Sequence, residues 1–186
     1  MDLVRPAAQH LASYLFALEA ISTEDDPFFK MYKRELAEIA QDSTSFLASM
    51  DDLEAKRPPI ELPNGSIIPR LPSITRWMWD GDVCGSTQLR WLPGTTDLPP
   101  YCLGHISYAV FPWKRQRGYA SKALALLLPS ARDLGMDFVE VVADVENLTS
   151  QKVILRNGGS LVEEFTKPVL SGGGQAFRYR ILLETA

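Results

Sequence analysis

The pattern of hydrophobic and polar positions changes about a third of the way along the chain. Before Arg57, apolar residues recur every three or four positions, as on the buried face of an amphipathic helix. After Ile60, β-branched and aromatic residues stand in short runs between Pro and Gly, a pattern typical of strands. We therefore expect one domain of 186 residues, with a helical N-terminal part at residues 1–57 and a sheet after it.

The N-terminal part is expected to hold one short strand and three helices. The strand covers Asp2 to Arg5, and Pro6 then opens a helix because its missing N–H is not needed there. A second helix begins near Asp25 to Pro27, where acidic groups suit a helix N-terminus, and a third covers Ser45 to Ala55. The apolar residues of the first two helices share one face each: Leu11, Leu15 and Leu18, then Phe28, Tyr32, Leu36 and Ile39.

Two hairpins frame the C-terminal part of the chain. Ser73 to Trp79 and Val83 to Trp91 flank the tight turn Asp80-Gly81-Asp82, because Gly tolerates the positive φ of such turns. The Pro-rich segment Leu92 to Tyr101 is predicted to be a loop. The last two strands, Ser160 to Thr166 and Gln175 to Leu183, are joined by three glycines.

A strand, helix and strand in succession organise the middle of the chain. The strand Gly104 to Phe111 leads through the loop Pro112 to Arg117 into the helix Gly118 to Leu134, and the strand Phe138 to Asp144 follows. Pro129 lies inside this helix, where it is expected to cause a kink without ending the helix. A shorter helix covers Ser150 to Arg156. The long helix carries one apolar stripe for packing on the sheet: Ala120, Leu124, Leu127, Ala131 and Leu134.

The segment Arg115 to Ala120 carries the candidate chemistry. It follows a strand and opens a helix, where unpaired N–H groups and the positive end of the helix dipole can bind a pyrophosphate. Gly118 would let a ligand approach the backbone closely, and Lys114, Arg115 and Arg117 add positive charge. An ordinary basic helix start with a permissive Gly would give the same local pattern.

The pattern Arg-x-x-Gly-x-Ala at this position resembles the coenzyme A signature of the GNAT superfamily of acetyltransferases. The preceding Tyr108 to Pro112 resembles that family's strand end, and Asn147 to Ser150 with Arg156 to Gly159 resembles its later helix and turn. The whole stretch from Gly104 to Glu164 is similar to a group of predicted GNAT acetyltransferases, whereas Met1 to Arg57 is poorly matched.

The resemblance implies an α/β fold, with a mixed and mostly antiparallel sheet of six or seven strands, flanked by helices. Two central strands would splay apart to admit the pantetheine arm, with residues 104–164 as the coenzyme A-binding core. It further implies an acyltransferase that moves the acetyl group of acetyl-CoA to an amine by direct attack, without a metal. The amine would belong to a small molecule, a peptide or a protein, and a homodimer is left open.

The resemblance also assigns roles to individual residues. The backbone amide of Val110 and the side chain of Asn147 would act at the reacting centre. Contacts to acetyl-CoA would come from Val110, Arg115, Gln116, Arg117, Gly118, Tyr119, Ala120, Ser121, Asn147 and Ser150.

The proton donor and the general base stay open. Many GNAT enzymes have a Tyr seven residues after the Asn, and this chain has Ile154 there. Tyr108, Tyr179 or a water could replace it, and a thiol of pKa about 8.5 also leaves without full proton transfer. The base alternatives lie on the two strands beside the long helix: Glu140, Asp144, His105 and Ser107.

Composition narrows the class of partner. Nineteen basic against 23 acidic side chains give a net charge of −4, which disfavours a protein that coats nucleic acid. The two cysteines, Cys84 and Cys102, predict neither a disulfide framework nor a zinc site. We expect no membrane span and a cytoplasmic location. Two alternatives remain: an acyl-CoA-binding or sensing module without catalysis, and a nucleic-acid contact at the basic turn.

Overall fold

The computed structural model describes residues 1–21, 29–61 and 65–183. Its helices are α1 Ala8–Ala20, α2 Phe29–Ala48, α3 Tyr119–Asp133 and α4 Leu148–Arg156, with short 3-10 turns at Pro112–Lys114 and Val169–Ser171. Its strands are β1 Asp2–Val4, β2 Asp51–Asp52, β3 Ile60–Glu61, β4 Ile67–Ile68, β5 Ser73–Trp79, β6 Val83–Arg90, β7 Ile106–Val110, β8 Phe138–Asp144, β9 Ser160–Thr166 and β10 Gln175–Leu182.

The strands form two antiparallel sheets and a small hairpin. The first sheet has the order β1-β5-β6-β7, with β2 also paired to β5, and the second has the order β8-β10-β9. The hairpin is β3-β4. Helices α1 and α2 cover one face through a cluster that includes Tyr14, Phe46 and Trp77, and α3 packs Leu124 and Leu127 into the other. The predicted α/β fold with mostly antiparallel strands and flanking helices is confirmed.

The two sheets are joined where His105, just before β7, pairs with Glu140 of β8. The His105 N–H donates to the Glu140 carbonyl at 2.8 Å, and the Glu140 N–H donates to His105 Nδ1 at 2.8 Å. Beyond that point β7 pairs with β6 and β8 pairs with β10, so a gap opens between the two strands. This gap is the central splay that the resemblance implied.

Helix α3 runs through Pro129 without a break, so its predicted continuity is confirmed. Pro129 lies on the exposed face, where water can hydrogen-bond the carbonyl that the missing N–H leaves free. Ala131 is buried with Leu124 and Leu127 as expected. The packing predicted for Leu134 is wrong, because this residue caps the helix and is 43% exposed. The kink itself stays a prediction.

The predicted third helix, Ser45 to Ala55, is wrong beyond Ala48. Helix α2 is bent at Asp42, whose carboxylate accepts the N–H groups of Thr44 and Ser45 and so caps the last turns. Asp51–Asp52 then pairs with β5 as strand β2, and Asp51 forms an ion pair with Arg76. The predicted start of the second helix, Asp25 to Pro27, lies outside the described residues.

Candidate functional site

The loop between β7 and α3 has an unusual backbone at two positions. Gln116 has φ +61°, which is uncommon for a residue with a side chain, and the N-cap Gly118 has φ +75°. A Cβ added at Gly118 would meet nothing within 4 Å. The loop therefore faces open space that a ligand can occupy.

The amides of this loop form a potential anion site. The Lys122 N–H makes the first bond of α3, to the Gly118 carbonyl at 3.0 Å. In the described parts of the chain, the amides from Gln116 to Ser121 have no backbone acceptor. Unpaired amides and the positive end of the helix dipole favour a phosphate or pyrophosphate at this place. The residues therefore fit the pyrophosphate of coenzyme A.

The three basic residues of the loop have different surroundings. Arg115 is exposed, and its Nε donates to the Val110 carbonyl at 3.1 Å. Arg117 is also exposed. Lys114 was expected to add charge around the anion, but its ammonium group lies 2.8 Å from the Asp80 carboxylate and is only 13% exposed. Its charge is largely compensated inside the protein.

Asp80 anchors the loop between β7 and α3 through two side-chain hydrogen bonds. Its carboxylate accepts hydrogen bonds from Lys114 Nζ at 2.8 Å and from the Tyr119 hydroxyl at 2.6 Å. Burial opposes ionisation of Asp80, but the hydrogen bonds from Lys114 and Tyr119 outweigh it and hold the pKa well below its usual range. The sequence identified Asp80 only as a turn residue, because nothing in a linear pattern shows that the turn lies beneath α3.

The Val110 amide is directed into the gap. The next residue, Phe111, donates its N–H to the Cys84 carbonyl of β6 at 2.9 Å. Successive residues of a strand direct their N–H groups to opposite sides, so that of Val110 points away from β6 and toward β8.

Tyr108, Asn147 and Ser150 come together across the gap. The Tyr108 hydroxyl lies 2.9 Å from Ser150 Oγ, and the Asn147 side chain accepts the Ser150 N–H at 3.0 Å as the N-cap of α4. Burial raises the pKa of Tyr108 to about 12, against the opposing effect of the Ser150 hydrogen bond. Tyr108 therefore keeps its proton at neutral pH. Ser121, in the first turn of α3, is tied to α4 by a bond from Asn157 at 3.1 Å.

Ile154, at the position where many GNAT enzymes have a Tyr, and Tyr179, the second candidate proton donor, are both buried in the core. Ile154 has no exposed surface and packs in the core cluster of α3 and β8. Tyr179 lies in the same cluster and is 4% exposed. Of the two candidate tyrosines, only Tyr108 lines a cavity at the gap.

Two of the four base alternatives have structural bonds instead. Glu140 accepts from Arg180 and Arg178 at 2.7 and 2.8 Å; burial opposes its ionisation, but these bonds lower its pKa. His105 accepts at Nδ1 and donates from Nε2 to the Thr96 carbonyl at 2.9 Å, and burial lowers its pKa. Asp144, bonded to Lys167, and Ser107, bonded to Arg90, line cavities.

A cavity of about 430 Å³, the helix cavity, joins the gap to the N-terminal helices. It is lined by α1 and α2 on one side and by β6, β7, β8 and the start of α4 on the other. The N-terminal helices and the Leu92 to Tyr101 loop are free to vary around a fixed cofactor site, so the sequence predicts that they bound the acceptor cavity. The helices do line it, whereas only Tyr101 of that loop reaches a second, adjoining cavity of about 520 Å³.

Glu35 and Glu38 are acidic residues of the helix cavity that were not among the candidates from the sequence. Glu35 has the more unusual surroundings. It accepts a short hydrogen bond from the buried Tyr14 hydroxyl, and burial raises its pKa despite the lowering effect of that bond. A signal was present in the sequence, because Glu35 stands on the same helix stripe as Tyr32 and Ile39. A carboxylate on an apolar stripe marks a buried charge with a local purpose.

The described residues contain neither a membrane-spanning helix nor a cluster of metal ligands. None of the helices within residues 1–21, 29–61 and 65–183 is long and apolar enough to cross a membrane. No group of three or more His, Cys, Asp or Glu side chains there is arranged to hold a metal ion.

Known proteins resemble the chain in family and in fold. The family model described as Acetyltransferase (GNAT) domain matches residues 16–160. The microcin C7 self-immunity acetyltransferase MccE, solved with acetyl-CoA and AMP, is 13% identical, with a TM-score of 0.63 over 97% of this chain and 91% of its own. A variant of the spermidine N-acetyltransferase SpeG from Vibrio cholerae is 11% identical, with a TM-score of 0.58 over 98% and 95%. No curated protein matches the sequence.

We expect Asp80→Asn to lower the free energy of unfolding by about 1–2 kcal/mol at pH 7, because it removes a charged hydrogen-bond acceptor. Since the folded pKa of Asp80 is depressed, its stabilisation is present above the unfolded pKa of about 3.9 and is lost as pH falls further. Urea unfolding measured from pH 7 to pH 3 should show that the difference in the free energy of unfolding between variant and wild type becomes smaller as the pH falls. Asp82→Asn is the control, because Asp82 is 70% exposed and lies 3.6 Å from Lys114. A difference that does not change with pH would contradict the assigned role.

Proposed function

The chain belongs to the GNAT acetyltransferase family, and on that premise we propose that it transfers the acetyl group of acetyl-CoA directly to an amine. The observation that carries this proposal is that the helix cavity reaches the gap between β7 and β8 with a partly buried carboxylate, Glu35, in its wall. The alternative, an acyl-CoA-binding or sensing module without catalysis, is motivated by Ile154 in place of the usual Tyr and by the lack of an obvious base in the sequence. Glu35 supplies a base candidate, so we propose an enzyme.

Acetyl-CoA, when bound, supplies the acetyl group as a thioester. We propose that the amides from Gln116 to Ser121 hold its pyrophosphate, assisted by the exposed Arg115 and Arg117. Gly118 gives the room for this contact, since nothing lies within 4 Å of its Cβ position. The Asn147 cap and Ser150 then border the pantetheine arm in the gap.

The Val110 amide is proposed to stabilise the charge that develops on the thioester oxygen. Its N–H points into the gap from a strand whose other side is held by β6. A donor fixed in place before the reaction needs no reorganisation when the charge forms, which is the reason such donors lower barriers.

Glu35 is proposed to accept the proton that the amine loses. In this step the amine nitrogen forms a bond to the carbonyl carbon, the carbon–sulfur bond breaks, and the proton passes to the Glu35 carboxylate. A raised pKa brings a carboxylate closer to neutral pH and makes it a stronger base. Burial is the main cause of the rise at Glu35.

Tyr108 is proposed to donate a hydrogen bond to the departing sulfur without giving up its proton. Its pKa of about 12 makes it a weaker acid than a thiol of pKa about 8.5, so full transfer is uphill. The thiolate can then leave largely unaided.

We expect coenzyme A to stabilise the wild-type fold, by about 2.7 kcal/mol at a hundredfold excess over Kd. Gly118→Val should abolish this effect, because a β-branched side chain is strained at φ +75° and fills the ligand space. Thermal unfolding with and without coenzyme A measures it. Gly135→Val is the matched control, with a similar φ of +77° and equally open surroundings at the other end of α3. An unchanged wild-type melting temperature would refute coenzyme binding.

Glu35→Gln should lower kcat/KM by about a hundredfold or more, because an amide cannot accept the proton. Glu38→Gln on the same helix should retain activity. Activity should rise with pH through the raised pKa of Glu35, and Tyr14→Phe should move this acid limb to higher pH by removing the hydrogen bond that lowers that pKa. Thiol release with intact-mass detection of the acetylated amine measures both. Equal pH profiles for wild type and Tyr14→Phe, with an active Glu35→Gln, would exclude Glu35 as the base.

Tyr108→Phe should lower kcat less than tenfold at unchanged coenzyme A affinity, because a hydrogen bond and not a proton is lost. Tyr179→Phe, in the core, serves as the comparison. The measurement is the pH dependence of kcat/KM for both variants. A loss of tenfold or more in Tyr108→Phe would make Tyr108 a true general acid.

A further inference from the structure

The second cavity, which we call the arginine cavity, carries an excess of positive charge. It adjoins the helix cavity, and the polar residues that line both cavities are Arg57, Arg70, Gln88, Ser107 and Asp144. Four cationic side chains line it, against two acidic ones, Asp52 and Asp144. The cations are Arg57, Arg70, Arg90 and Lys167.

The two acids do not neutralise the arginines. Asp144 forms an ion pair with Lys167. The Asp52 carboxylate accepts the backbone N–H groups of Lys56 at 2.7 Å and Arg57 at 3.1 Å. Over residues 1–21, 29–61 and 65–183, no carboxylate lies within ion-pair distance of Arg57, Arg70 or Arg90.

Two of these guanidinium groups are oriented by neutral acceptors. Arg70 Nε donates to the Pro58 carbonyl at 2.7 Å. Arg90 donates to Gln88 and to Ser107 Oγ at 2.7 Å each. Such bonds fix the direction of a planar guanidinium while leaving its charge uncompensated, which is the arrangement suited to receive an oxyanion in a forked contact.

The clustered charges oppose one another. Burial lowers the pKa of Arg70, and the charges of Arg57 and Arg34 lower it further, whereas those of Asp52 and Glu38 raise it. Repulsion between like charges is destabilising, and an anion that enters between the arginines relieves it.

We propose that the arginine cavity binds a carboxylate or phosphate of the acceptor, so that the substrate is an amine with an anionic group at its far end. This inference rests on the proposed function, because it takes the amine to lie at Glu35. An anion in the adjoining cavity would orient the acceptor and hold its amine toward the gap.

Strand β6 gives the length of such an acceptor. Ser86 pairs with Trp77, on which Tyr14, the partner of Glu35, stacks at 4.1 Å between ring centroids. Arg90 lies on the same face of β6 two side-chain repeats further along, which is about 13 Å. An extended chain of about four residues, or a small molecule of similar length, would reach from the Ser86 end of the helix cavity to Arg90.

Calorimetric titration of the coenzyme A-saturated protein tests the proposal, because the amides of α3 are then occupied. Inorganic phosphate and acetate are titrated into wild type, Arg57→Gln/Arg70→Gln and the single variant Arg70→Gln. We expect the anion affinity to fall tenfold or more in the double variant and measurably in the single one. Arg132→Gln, on the exposed last turn of α3, should bind as wild type does.

Tetraglycine and its C-terminal amide distinguish the sources of the anion. In wild type the acid should bind at least tenfold more tightly than the amide, and the two should bind alike in the double variant. Equal binding of acid and amide to wild type, with phosphate still bound, would restrict the anion to phosphate.

No phosphate or acetate binding to the coenzyme-saturated wild type, or binding that the arginine variants leave unchanged, would overturn the inference while leaving the proposed function standing. Failure of coenzyme A itself to bind would instead remove the proposed function.

Discussion

The backbone pairing of His105, just before β7, with Glu140 of β8 is the constraint on which the rest of the structure depends. His105 is buried, and burial lowers the pKa of its ring, so the neutral imidazole can accept the Glu140 N–H at Nδ1. The His105 N–H returns a bond to the Glu140 carbonyl. Because the strands are bonded at this end and separate beyond it, backbone groups such as the Val110 amide face an open gap. Buried backbone groups need partners, so the gap is suited to an inserted polar chain.

Acidic side chains at the site divide by their surroundings. Asp80 and Glu140 accept bonds from cations, which outweigh burial and lower their pKa values. Asp80 holds the loop before α3, and Glu140 lies where the two sheets are paired. Glu35 has a tyrosine as its partner, and burial dominates and raises its pKa. The balance between burial and neighbouring cations therefore sets the pKa of each carboxylate, and at Glu35 the charges of Arg34 and Arg57 lower the pKa but do not outweigh burial.

The two adjoining cavities differ in the charges on their walls. Glu35 lines the helix cavity and Arg90 lines the arginine cavity, while Arg57 and Arg70 line both. Among the described residues, none of these three arginines has a carboxylate within ion-pair distance. The acceptor that we propose has the complementary order, an amine at one end and an anion at the other. Electrostatic complementarity of this kind sets orientation and selectivity more than total affinity.

The sequence by itself determined the elements and the anion site at α3. Periodicity and Gly or Pro punctuation placed β5, β8 and β9 at their observed bounds, because these signals are local. The Arg115 to Ala120 segment was visible for the same reason, since strand, loop and helix start are contiguous. The helix predicted over Ser45 to Ala55 failed past Ala48, where pairing with β5 overrode local preference. Only the tertiary structure decided that Asp80 supports the loop, that Ile154 and Tyr179 belong to the core, and that Glu35 and the arginines line adjoining cavities. Those facts depend on contacts between residues far apart in the chain. Burial and the charges of such neighbours set the pKa values and the hydrogen-bond partners of these side chains. Neither can be seen in a local sequence pattern.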